Sequence, residues 1–410
     1  MKKVYLFSAI AVMAAMTACT KEPVNTPETP ENDGPVPVQF GLASPDYQVS
    51  TKSTGGLDAW NNTPLYVFGY DRTAEDFSEA NALIYNVGAS AATGTEATLD
   101  VKHDVSEEGD GSPMEPFYYE DGVNYDFYGY HIDDAAVDKT DPDGVPVPVV
   151  VPEEGTTVDG ADLTKGVYVK FHIDGSQDLM TAKADPTEDV KNATEETVDP
   201  SRAYSAYAAR RGVQPTLAFQ HQLARFKFQI RSGSESGNTV KVDSIKILDQ
   251  QADGYLKVVG LAEEEQVITP FTPAEPAEAL VDFELMQRNR ESGQMEGLVA
   301  ATPTDPWSSE EPATTPNAVG ESIMIVPGGS SCTIRIKTSQ EGVTTPIPAQ
   351  EYTVNAADLM IGEESANAEK FEAGKYYTIT LVIYGPEDIE ITATLEAWED
   401  GGGVEWDPDK

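Results

Sequence analysis

Apolar and polar residues alternate one for one through many short segments of this chain. Val36, Val38, Phe40 and Leu42 alternate with Pro37, Gln39 and Gly41. Val167, Val169, Phe171 and Ile173 alternate with Tyr168, Lys170 and His172. Phe226, Phe228 and Ile230 do the same against Lys227, Gln229 and Arg231, within a longer run, TLAFQHQLARFKFQIR, that reads as one strong strand over 216–231. Near the end, Tyr377, Ile379, Leu381 and Ile383 make one face, YGPEDI makes a turn, and Ile389, Ile391, Ala393, Leu395 and Ala397 make the next face. Successive strand residues point to opposite sides, so this period marks sheets with one covered face and one wet face. Many such segments, punctuated by Gly, Pro, Asn and Asp, predict an all-β chain of antiparallel sandwiches. No long stretch of helical period competes with that reading.

Polar insertions break the pattern. DDAAVDKTDPDGVP (133–146), KADPTEDVKNATEETVDPSR (183–202) and ATPTDPWSSEEPATTPNAVGE (301–321) carry turn chemistry without periodicity and are expected as long loops at the sandwich ends. The polar, Ala-rich stretch YSAYAARRGVQ places a boundary near residues 212–214, giving an N-terminal sandwich over 36–213 and a C-terminal one over 214–410. An aromatic strand after an acidic turn occurs twice, in YYEDGVNYDFYGYHI and FEAGKYYTITLVIYG, a weak echo between the two halves.

The first residues follow a different logic. Lys2 and Lys3 precede an uncharged apolar run, residues 4–18, that is too short to span a bilayer, which needs about 20 apolar residues. The layout is that of a secretory signal over 1–18. Cys19 follows the small residues Thr17 and Ala18, a spacing that resembles the lipobox of bacterial lipoproteins, with Met16 where Leu is commonest. That resemblance implies a thioether-linked diacylglyceryl group on Cys19, a palmitate-type anchor and a surface-exposed location at the cell outer membrane. Residues 19–35, rich in Pro, Thr and Glu, have little to bury and read as a tether.

Charge narrows the partners. Against 27 Lys and Arg stand 70 Asp and Glu, a formal charge of −43 that repels phosphate backbones and excludes nucleic acid as a partner. With Cys19 acylated, Cys332 has no partner for a disulfide, and in SSCTIRIK it alternates with polar neighbours like a small buried hydrophobe. His103, His131, His172 and His221 lie far apart without metal-ligand spacing. DKTDPDGVPVPVV would put Lys139 at the first position of an EF-hand and Val150 where a bidentate Glu is required. No nucleophile elbow, phosphate loop or dinucleotide fingerprint is present, so neither a catalytic centre, a metal site nor a cofactor is expected. Among Trp60, Trp307, Trp398 and Trp406, Trp307 sits in a Pro-rich loop where it could contact a ligand.

Four features together resemble the fimbrillin family, the lipoprotein-derived type V pilins and pilin-like adhesins of Bacteroides-type bacteria. They are Cys19; FHIDGSQDLMTAKA (171–184), with its Asp-Leu-Met-x-Ala stretch; LAFQHQLARFKFQI; and the ending FEAGKYYTITLVIYG…ITATLEAWEDGG. The resemblance implies two transthyretin-like β-sandwich domains and a role as pilus (fimbrium) subunit, or tip or accessory adhesin, in cell adhesion. It also implies assembly by strand exchange: a trypsin-like protease cuts behind the first strand, and a strand from the next subunit's C-terminus takes the vacated groove. Carried onto this chain, Val36, Val38, Phe40 and Leu42 belong to the displaced strand, Lys52 is the basic residue behind it, and Val404 and Trp406 mark the donor. Partners would be other pilin subunits, self or paralogous, with a host protein or glycan as adhesion ligand. A different class stays open beside it, a glycan-binding outer-surface lipoprotein of a polysaccharide uptake system.

Overall fold

A computed structural model describes residues 34–43, 63–91, 96–99, 101–104, 114–133, 136–137, 140–141, 144–184, 200–261, 267–270, 280–289, 292, 294–361, 364–366 and 368–397. Across them the chain is β throughout, as the alternation requires, with one short α-helix, Ala206–Ala209, capped by the Ser205 hydroxyl accepting from the Ala208 N–H. No helix among the described residues is long and apolar enough to cross a membrane.

Among the described residues, five sheets of three or more strands carry the structure. One holds Gln220–His221, Leu179–Lys183, Tyr125–Ile132, Thr63–Asp71 and Ala82–Ala91 in that spatial order. It is covered on both sides. Leu65, Val67 and Phe127 belong to one hydrophobic core, whereas Tyr66, Phe68, Tyr130 and Leu179 belong to another. Double burial explains why PLYVFGY and YDFYGYHI are almost continuously apolar instead of alternating. On the second side lies a sheet of Ile268–Pro270, Asp253–Val259, Gly166–His172 and Pro148–Val151, whose Val167, Val169 and Phe171 share the larger core.

The C-terminal part is a sandwich of two sheets. Asn317–Ile325, Ala224–Ser232, Lys375–Gly385, Asp388–Ala397, Met360–Ile361 and Glu364–Ser365 form one, and Leu280–Glu284, Val240–Gln251, Ser331–Gln340 and Gln350–Asn355 the other. Phe228, Ile379 and Leu381 of the first sheet share the larger core with Ile245, Ile247 and Ile334 of the second. Cys332 lies in the Ser331–Gln340 strand, 5% exposed, as its alternation indicates. Pairing crosses residue 213: Asp253–Val259 is hydrogen-bonded to Gly166–His172.

Three features depart from the sequence reading. The run over 216–231 is not one strand; it is Thr216–Ala218, Gln220–His221 and Ala224–Ser232, each in a different sheet. Burial still alternates at Leu217, Phe219 and His221, so the chain stays extended while changing partners. The loop expected over 301–321 ends at Pro316, because Asn317–Ile325 pairs with Ala224–Ser232. The antiparallel rule also has exceptions, since Ala224–Ser232 runs parallel to Lys375–Gly385 and Phe40–Ala43 parallel to Thr216–Ala218. Parallel neighbours need long connections, which these segments, far apart in sequence, supply.

Candidate functional site: the first strand and its seat

The first strand, Phe40–Ala43, lies between two segments distant in sequence. It pairs antiparallel with Glu96–Leu99 and parallel with Thr216–Ala218, with Leu42 opposite Ala97 on one side and Leu217 on the other. The residues before it are held as well. The Val38 N–H donates to the Phe117 carbonyl at 2.7 Å, and the Tyr119 N–H donates to the Val36 carbonyl at 3.0 Å. The Gly41 N–H donates to the Pro215 carbonyl at 3.0 Å. Backbone approach is close there, for a Cβ on Gly41 would stand 3.0 Å from Thr216 Oγ1.

Side chains follow the alternation of the sequence. Val38, Phe40 and Leu42 are 4%, 2% and 6% exposed, while Gln39 faces solvent and Val36 is half-buried. The three point into a core that also contains Leu65, Val67, Ile84, Leu99, Phe127 and Leu217. Phe40 meets Phe127 edge to face at 5.2 Å between centroids. Removing such side chains from water contributes about 1.5–3 kcal/mol each. The strand is therefore held by an apolar row and a hydrogen-bond ladder, both of which any extended segment of similar pattern can reproduce.

Burial shapes the chemistry of the seat. Desolvation, reinforced by the neighbouring Tyr204 and Tyr125, raises the Tyr119 phenol well above its ordinary range. Tyr125 is pushed up to about 12, mainly by desolvation and then by Glu120. Neither phenol ionises near neutrality, so neither brings a charge to the seat. Among the described residues no group of three or more His, Cys, Asp or Glu is placed to hold a metal ion.

Cys19, Lys52, Val404 and Trp406, with Trp60 and Trp398, lie outside the described residues. Trp307 is half-buried, and its backbone is clasped by Asn238, which accepts from its N–H at 2.8 Å and donates to its carbonyl at 2.9 Å. The sequence reading missed the two neighbours of the first strand. Glu96–Leu99 is too short to declare a period, and Thr216–Ala218 was absorbed into the longer run.

A family model described as fimbrillin-like matches residues 51–398. The chain belongs to the fimbrillin-like family. The match spans the seat but not the first strand. Solved structures similar to this fimbrillin-like chain include a candidate cell adhesion protein from Bacteroides uniformis, 15% identical, TM-score 0.44, covering 90% of this chain and 99% of that one. Others are a fimbrilin from Porphyromonas gingivalis, 12% identical with TM-score 0.36 over 90% of this chain and 99% of that one, and the tip fimbrial protein Mfa3 of the same species, truncated at its C-terminus, 10% identical with TM-score 0.32 over 89% and 100%. No curated protein matches the chain.

Proposed function

We propose that this fimbrillin-like protein is a non-enzymatic surface subunit, a pilus component or tip or accessory adhesin, that assembles by donor-strand exchange. It is made as a lipoprotein anchored to the outer membrane through Cys19. Cleavage behind Lys52 frees residues 36–43, and residues 401–410 of the next subunit, led by Val404 and Trp406, take their place. The observation that carries this reading is the seating of Val38, Phe40 and Leu42 between Glu96–Leu99 and Thr216–Ala218. An end segment buried this completely, with partners on both edges, leaves a continuous apolar groove when it departs. Relatives in shape that are described as fimbrial or adhesion proteins fit the same role.

A covalent lock tests it. Ala43 and Glu96 face each other in register, so the A43C/E96C pair can tie the first strand to its neighbour. The locked protein, cut behind position 52, is expected to stay monomeric and to polymerise after reduction. Equal polymerisation with the disulfide closed would rule strand exchange out.

A further inference from the structure

Beside the start of the first strand, a cavity of about 190 Å³ is lined by Arg202, Ser205, Tyr207, Arg210, Arg211 and Asp121 among others. Three of the chain's 27 cations thus gather within ten residues of a protein that carries 70 acids. The Arg202 and Arg211 guanidinium carbons each stand 3.7 Å from the centroid of the Tyr207 ring. Two planar groups that close cannot share one face, so they lie on opposite sides, with the phenol between two positive charges. Arg211 is fixed further by an Nη1 donation to the Tyr207 carbonyl at 3.0 Å.

Among the described residues, acids do little to neutralise them. Among the described lining residues Asp121 is the one carboxylate; it is 89% exposed and 3.8 Å from Arg210 Nη2. Arg210 donates through Nη2 to the Gly34 carbonyl at 3.2 Å, while its buried Nε has no partner among the described residues. Two like charges locked on one ring, beside a buried donor left over, are arranged to receive an anion. Guanidinium forks match carboxylates in geometry and bind them more strongly than neutral acceptors.

The cavity also selects among anions. Its volume leaves room for one or two carboxylate side chains. Sugar rings stack on open aromatic faces, and both faces of Tyr207 are taken. An acidic peptide suits the site. Residues 398–410 place Glu399, Asp400, Glu405, Asp407 and Asp409 around Trp398, Val404 and Trp406, against Lys410 alone. Arg210 bonds to Gly34, two residues before Val36, so the cluster stands beside the segment that leads into the first strand.

We propose that Arg202, Arg210 and Arg211 form a clamp for the acidic side chains of residues 398–410 of a second copy of this chain. The clamp deepens the strand-exchange reading and rests on it for the identity of its occupant. It supplies salt-sensitive orientation, while the apolar groove supplies hold.

The test titrates a fluorescent peptide of residues 398–410 into the full chain, whose own segment is neutralised by E399Q/D400N/E405Q/D407N/D409N so that it does not compete. Affinity is expected to fall at least tenfold with R202Q/R211Q, to fall similarly when the peptide's acids become amides, and to weaken as salt rises. R202K/R211K, which keeps charge but not the fork, is expected to lie between, with thermal melts confirming the fold of each variant. Equal affinity for the wild type and R202Q/R211Q overturns the clamp, as does no binding at all. An oligouronate that binds through the arginines while the peptide does not also overturns it, assigning the pocket to an acidic glycan. Cutting behind Lys52 separates this from the strand-exchange reading. Arginine-dependent docking on protein that never exchanges strands keeps the clamp and discards exchange; polymerisation unchanged in R202Q/R211Q does the reverse.

Discussion

Phe40 stands edge-on to Phe127, their ring centroids 5.2 Å apart and their planes at 90°. One ring belongs to the first strand and the other to the doubly covered sheet beneath it, so this contact joins the strand to its seat. Truncating Phe40→Ala is expected to cost about 3–5 kcal/mol in denaturant unfolding, because the cavity lies where the sheet below cannot collapse. The neighbouring Gln39→Ala, on the wet side, should stay within about 0.5 kcal/mol. Comparable losses for both would mean the strand is not seated as described.

Gly237 sets a limit of a different kind. A Cβ there would stand 1.9 Å from the Ile383 carbonyl oxygen, and backbone, unlike a side chain, cannot swing away. Gly237→Ala is therefore expected to destabilise the C-terminal sandwich by about 1–3 kcal/mol or more. Gly297→Ala, with open space around it, is the matched control for thermal melting.

His131 links stability to pH. Its side chain is 1% exposed, with Nδ1 2.9 Å from the Pro64 carbonyl and Nε2 3.2 Å from Asp133 Oδ1. Both nitrogens face acceptors, which suits the doubly protonated ring. Burial alone lowers its pKa, but the hydrogen bond and charge of Asp133, the Pro64 carbonyl and the charge of Asp178 together hold it above the ordinary value. A raised folded pKa gives stability that is fully present below about pH 6.5 and is lost as pH rises through the folded value. Denaturant midpoints should accordingly decline as pH rises above about 6.5, and His131→Gln should flatten that slope. A slope unchanged by the substitution would remove His131 as its source.

Burial makes Cys332 inert. Desolvation pushes its thiol up to about 12, so almost no thiolate forms near neutrality. Iodoacetamide at mildly alkaline pH is expected to leave the Cys332 peptide unlabelled in folded protein and to label it fully in denaturant, as read by peptide mapping. Rapid labelling of the native protein would place the residue at the surface.

Alternation exposed the strands whose sheets are wet on one side, such as 36–42 and 226–230, because there the period and the burial coincide. It was silent on partners. Leu217, Phe219 and His221 keep their beat while the chain passes from one sheet to the next, and nothing in a period of two says which strand lies alongside. The pairing of Phe40–Ala43 with Thr216–Ala218 joins segments too far apart in sequence for local pattern to reveal. Thr63–Asp71 carries apolar residues on both faces and so loses the beat altogether. The arginine pocket lay within a stretch that reads as a polar boundary. Tyr207 and Arg211 are one helical turn apart, but Arg202 reaches the same ring only through the turn capped by Ser205.

Native mass spectrometry of the full-length protein after trypsin cuts behind Lys52, with K52Q as the uncut control, bears most directly on whether residues 36–43 are replaceable. The expected result is release of the fragment carrying 36–43, together with growth of oligomers in which residues 398–410 become protected. A fragment that stays bound to a monomer through prolonged incubation would contradict it.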